Sequence, residues 1–117
     1  MIKINNEIDR KKILLAAEDA RNIYCKNGEG STGACIESSR WISHHSAISL
    51  KKVDIKHNMV FGRFLCKTDK KYNSHTWIEF PQYDHAILDV TADQFGNYPK
   101  IWFPADKRCY QKIENYK

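Results

Sequence analysis

The spacing of apolar side chains changes period near residue 59, and that change restricts the fold more than any other feature of the chain. Before it, "EIDRKKILLAAEDARNIYCKN" follows Asn5 and Asn6, residue types suited to a helix N-cap, and carries acidic residues early. Ile8, Leu14, Leu15, Ala17 and Ile23 recur there at roughly helical spacing until Gly28, which predicts a first helix with those residues on its apolar side. "GEGSTG" reads as a loop, and "ACIESSRWISHHSAISL" predicts a second helix with Ile36, Trp41, Ile42 and Leu50 toward the core. From Met59 the chain breaks into short β-type runs, "MVFGRFLCK", "SHTWIEF", "HAILDVT" and "KIWF", separated by turn-forming residues. The expected fold is α+β, with two N-terminal helices packed on one face of a three- to four-stranded antiparallel sheet.

A chain of 117 residues holds one core and not two, so a single domain over 1–117 with one site is expected. Hydrophobic residues at 42% against 28% charged indicate a globular and not a disordered chain. The opening "MIKINNEIDRKK" lacks the apolar stretch of a signal peptide, and no run reaches the length of a membrane span. A soluble cytoplasmic protein is therefore expected, with delivery into another cell left open. Cys25, Cys35, Cys66 and Cys109 include no CxxC pair and are read as reduced thiols. The net charge of +5 comes from scattered lysines, which fit a solvated surface better than a nucleic-acid footprint.

Three residues carry the chemistry. Cys35 falls at the predicted start of the second helix, where unpaired N–H groups and the helix dipole stabilise a thiolate and can bind an oxyanion. A nucleophilic thiol needs a histidine to take and return its proton, and that histidine needs an acceptor behind it. His75 in "SHTWIEF" and Asp89 in "HAILDVT" supply such a pair if a three-residue loop sets Phe80 opposite Asp84, for then His75 lies directly opposite Asp89. Singly, each has a blander reading: a buried cysteine is commonly an inert small hydrophobe, and a strand histidine is commonly structural. The combination in the order Cys, His, Asp is more telling.

"GACIESSRWI", "HTWIEF" and "AILDVTADQFG" resemble the papain-like and transglutaminase-like superfamily, particularly small bacterial transglutaminase-like cysteine hydrolases and the deamidase domains of bacterial toxins and effectors. The resemblance spans roughly residues 28 to 104. It implies a helix opened by the cysteine and packed on an antiparallel sheet, with Cys35 as nucleophile, His75 as general base and acid, and Asp89 as orienting carboxylate. Papain-like enzymes often place a glutamine oxyanion donor some residues before the cysteine, where this chain has Glu29, an acceptor when ionised. Asn27, Gly33, Ala34 and Gln94 are the alternative oxyanion or cleft candidates, and Gly28, Gly30 and Gly33 would let a substrate backbone approach.

The expected activity is cysteine-dependent hydrolysis of an amide bond through a thioester, in a protease, a glutamine deamidase or a transglutaminase, with no cofactor or metal required. The expected partner is a protein or peptide substrate, not nucleic acid or a membrane, with a monomer favoured. The alternative is a basic module of the same fold without catalysis, binding nucleic acid or an acidic protein. Trp77, on the strand face of His75, suits either a cleft wall sheltering the pair or the core, and Glu79 reads as a solvated edge carboxylate. His44 and His45 are adjacent and diverge on a helix, so they read as surface residues. Cys35, Cys66, His45 and His75 could be drawn as a zinc site but lack close ligand spacing. Phe61, Phe64, Trp102 and Phe103 suit sheet core better than a base-stacking platform.

Overall fold

The computed structural model describes residues 7–24, 34–65 and 72–115. Helix α1 spans Glu7–Tyr24, and α2 spans Cys35–Arg40 and runs on into a π-helical turn at Trp41–His45. Four strands follow, β1 Asn58–Leu65, β2 Tyr72–Phe80, β3 Ala86–Leu88 and β4 Tyr110–Asn115, in one antiparallel sheet of order β3-β2-β1-β4. The molecule is thus α+β, with two helices before a four-stranded sheet. No helix among the described residues is long and apolar enough to cross a membrane.

The fourth strand is not where the sequence reading expects it. "KIWF" contributes only a bridge between Trp102 and Asp89, while "YQKIEN" forms β4. Every β4 residue beyond Tyr110 is exposed, so this edge strand lacks the half-buried alternation by which strands are recognised. The core face of α1 also differs. Ile13, Ala16, Ala17 and Ala20 are buried at helical spacing, whereas Ile8, Leu15 and Ile23 point outward and Leu14 packs at the rim. Small alanines let α1 lie close to its neighbours, which larger side chains would hold off.

Each face of the sheet has its own cover. Met59, Ile78, Phe80, Ala86 and Leu88 pack with α1, Ile42 and Leu50, as expected of helices on one side. Burying a side chain such as Ile78 or Phe80 contributes about 1.5–3 kcal/mol. Val60, Phe64, Trp77 and Ile87 face the other way, under Ala92, Phe95, Trp102, Ala105 and Cys109 from the chain between β3 and β4. Gly62 on β1 pairs with His75 and Lys112, and a Cβ there would stand 2.2 Å from the Gln111 carbonyl oxygen and 2.5 Å from the Trp77 ring. Only glycine lets β4 and Trp77 come this close together.

Polar clamps fix α1 to the rest. Asp19 accepts from Trp41 Nε1 at 2.6 Å and from the Ser46 hydroxyl at 2.7 Å, holding α2 and its exit. Arg21 forks onto Asp93 at 2.9 and 3.1 Å and donates to the Val90 carbonyl at 2.8 Å, so the segment leaving β3 is tied to the end of α1. The half-buried fork has the bidentate geometry that makes arginine pairs worth more than ordinary surface ones.

Candidate functional site

His75 and Asp89 meet, though not by the expected register. The β2–β3 loop comprises the 3₁₀ turn Pro81–Tyr83 followed by Asp84 and His85, both at φ 56°, so Phe80 faces Ala86 instead of Asp84. Reversing the chain takes two left-handed residues more than a tight hairpin, and an aspartate tolerates that conformation better than most residue types. The register therefore moves by two residues, which preserves the face of every side chain. His75 and Asp89 become diagonal neighbours, and the Asp89 Oδ2 lies 2.7 Å from His75 Nε2 with both side chains fully enclosed.

Asp89 is held from every side. Its backbone N–H and carbonyl bond Trp102 at 3.0 and 2.8 Å. Its Oδ1 accepts the Thr91 N–H at 2.9 Å, and its Oδ2 accepts the Tyr110 hydroxyl at 2.7 Å as well as the His75 ring. Burial and the neighbouring Asp89 charge raise the Tyr110 phenol well above its ordinary value, so it stays a donor. Around the imidazole, Phe95 approaches edge-on at 4.9 Å, Phe64 at 5.7 Å and Trp77 at 6.1 Å. Trp77 is 2% exposed, so it shelters the pair from within the core and does not line an open cleft.

Cys35 is the third member of the cluster. β3 pairs only with Ile78–Phe80, which leaves the outer edge of the first part of β2 without a strand neighbour among the described residues, and α2 packs on β2 there. The half-buried thiol lies beside His75 and Thr76. His75 Nε2 is committed to Asp89, so Nδ1 is the nitrogen left for the sulfur; it is buried and has no hydrogen-bond partner.

The electrostatics follow from this geometry. Burial alone would push the Cys35 thiol up, but the neighbouring His75, with Thr76 beside it, holds it below its ordinary value. Burial alone would push His75 down, but the Asp89 charge and hydrogen bond outweigh it and, with Cys35, raise the imidazole to about 9. A lowered thiol beside a raised imidazole is the condition for a thiolate–imidazolium pair.

The remaining sequence candidates fall into three groups. Ala34 precedes α2, and its carbonyl accepts the Ser38 N–H at 2.9 Å to open the helix. Gln94 lies in the short 3₁₀ turn Ala92–Phe95, whose last ring touches His75, and its N–H closes that turn on the Thr91 carbonyl at 3.2 Å. Asn27, Gly33, Glu29, Cys25 and Cys66 lie outside the described residues. Glu79 is not a solvated edge carboxylate: it is 6% exposed and bonds Lys112 Nζ at 2.9 Å. His44 and His45 are exposed, with ring centroids 4.3 Å apart, and no group of three His, Cys, Asp or Glu among the described residues is arranged to hold a metal ion.

Sequence reasoning missed Thr76, Thr91 and Tyr110. Thr91 had a local signal, since an aspartate followed two residues later by a backbone N–H is the common Asx pattern. Thr76 sits on the opposite strand face from His75, and Tyr110 comes from the unrecognised strand, so neither had one. No protein-family model, no curated protein and no solved structure matches the chain.

Proposed function

We propose that the protein is a cysteine-dependent hydrolase of amide bonds, built on a papain-like or transglutaminase-like core, with Cys35, His75 and Asp89 as its triad. One observation carries the reading: His75 is bound through Nε2 to a fixed carboxylate, its other nitrogen is buried and unpartnered, and the thiol of Cys35 beside the ring is held low. The Cys35 thiolate attacks the substrate carbonyl carbon, and the C–N bond breaks as His75 Nδ1–H protonates the leaving amine. Nδ1 then takes a proton from water, whose oxygen attacks the thioester; the C–S bond breaks, releasing the acid and restoring the thiolate beside the protonated imidazole. Asp89 holds the ring and stabilises its positive charge throughout. A protein or peptide is the substrate class, cut at the backbone or deamidated at glutamine. Water is the favoured acceptor because so small a domain has little surface for a second, amine substrate.

The test is the pH dependence of alkylation at each of the four cysteines, read by peptide mass spectrometry on wild type and His75→Ala. Cys35 should react fastest below the ordinary thiol pKa of about 8.5 and lose that lead without His75. Turnover of an amide substrate should rise with the thiolate and fall as pH passes about 9, where His75 loses the proton it must donate. A Cys35 no faster than Cys25, Cys66 and Cys109 refutes the reading. A binding module of the same fold would instead keep its affinity with alanine at position 35.

A further inference from the structure

A second histidine is paired with a side-chain nucleophile at the far end of the helix that Cys35 opens. Ser43, in the π-helical turn, has its hydroxyl 2.7 Å from His57 Nε2, and His57 Nδ1 lies 2.7 Å from the Ile55 carbonyl oxygen. A carbonyl only accepts, so Nδ1 carries the proton, Nε2 offers its lone pair, and the Ser43 hydroxyl donates to it. The pair lines a cleft of about 340 Å³ whose other walls are His44, Lys51, Asp54, Ile55 and Lys56. That volume is in the range of small-molecule sites, roughly 300–1,000 Å³, and more than one inorganic anion fills.

The lining is cationic. Its lining residues include two lysines, Lys51 and Lys56, and two histidines, His44 and His57, against one acid, Asp54. Three carbonyls near the helix end are already hydrogen-bonded: Trp41 by the Ser46 N–H at 2.9 Å, Ile42 by Leu50 at 2.8 Å and Ser43 by Lys51 at 3.0 Å. Burial and Lys51 keep His57 below the usual imidazole range despite the Ile55 hydrogen bond. Burial, His45, Lys51, Arg40 and His57 do the same to His44. Burial is the larger cause in both rings, and the neighbouring cations add to it, a contribution that an anionic ligand would oppose.

We propose that this cleft binds a small organic phosphomonoester, with Lys51 and Lys56 on the phosphate and the Ser43–His57 pair as a proton-coupled latch. When the phosphate enters, His57 Nε2 takes one proton from solvent and becomes a donor. The Ser43 hydroxyl, released from Nε2, turns to a phosphate oxygen. No bond to phosphorus forms or breaks. The π-helical turn, a feature frequent at functional sites, is what brings Ser43 to the cleft wall. The site stands apart from Cys35 and does not depend on the hydrolase reading.

The experiment follows the His57 ring by long-range proton–nitrogen NMR across a pH titration, with chloride, inorganic phosphate, ribose or ribose 5-phosphate at matched ionic strength. His57 free of ligand should show the Nδ1–H tautomer. Ribose 5-phosphate should saturate, raise the His57 midpoint by about one pH unit, and bind more tightly than inorganic phosphate, with ribose inert. Lys51→Gln and Lys56→Gln should each weaken it by about tenfold, the worth of one charge-assisted hydrogen bond. In His57→Gln, which keeps an acceptor for Ser43, the proton uptake that accompanies binding should be lost, as read by calorimetry in buffers of different ionisation enthalpy. A midpoint moved no further by ribose 5-phosphate than by chloride, or binding indifferent to both lysines, overturns the site. Ribose 5-phosphate no tighter than inorganic phosphate overturns the organic ligand class.

Discussion

His75 and His57 are both buried or half-buried imidazoles that face a nucleophilic side chain on one nitrogen and a fixed acceptor on the other, yet they are driven in opposite directions. Behind His75 is the Asp89 carboxylate, and the ring is raised to about 9 in spite of burial. Behind His57 is the neutral Ile55 carbonyl, with Lys51 nearby, and burial wins. A full negative charge in an enclosed site offsets the cost of burying an imidazolium, whereas a carbonyl dipole fixes the tautomer without doing so. The same residue type is thereby made a resident cation at one end of the helix and a neutral acceptor at the other.

Removing the charge should collapse the difference. Asp89→Asn keeps the shape but leaves His75 governed by burial, so its midpoint should fall below the usual imidazole value and Cys35 should lose its reactivity at neutral pH. Turnover should drop by about 10²–10⁴ if His75 serves as acid and base. The sign for stability is also defined. A folded-state imidazole raised above its unfolded value of about 6.5 stabilises most below that pH. Urea midpoints of wild type and Asp89→Asn should therefore differ most near and below pH 6.5 and converge as pH passes about 9.

Gly62→Ala should break the first region and spare the second. Its Cβ meets the Gln111 carbonyl and the Trp77 ring, so β4 and Trp77 must give way, at a cost of about 1–3 kcal/mol in urea unfolding. Cys35 alkylation should slow because Tyr110 on β4 shifts from Asp89, while the His57 midpoint stays in place. Tyr110→Phe is gentler, removing one hydrogen bond worth about 0.5–1.5 kcal/mol. With that donor gone Asp89 is a stronger partner for His75, so the alkaline limb of turnover should move up even as kcat falls. Ser43→Ala should have the smallest effect, leaving Cys35 alkylation within about twofold while the His57 midpoint rises, because the neutral ring loses its donor.

How much of this was legible in the chain depends on how local each feature is. The two helices, β1, β2 and the shared face of His75 and Asp89 follow from periodicity, since a register error of two residues leaves faces unchanged. The alanine stripe of α1 was hidden behind larger residues that point outward. β4 was hidden by its exposed, polar edge, and with it Tyr110, the residue that closes the cluster from 21 positions away from Asp89. The Ser43–His57 pair was equally hidden, because His57 lies in a segment with no periodic pattern of its own.

By itself the sequence determined the α+β class, the helical and strand periods, and the presence of one cysteine, one histidine and one aspartate in positions that short-range geometry could bring to one face. Only the tertiary structure decided which nitrogen of His75 meets Asp89, that Tyr110 and Thr91 pin the carboxylate, that Thr76 lies beside the thiol, and that Trp77 is enclosed. Periodicity depends on neighbours a few residues apart and is written into every short stretch of chain. Burial and charge pairing depend on segments far apart in sequence that meet only when the sheet closes, and those two quantities set the protonation of each histidine.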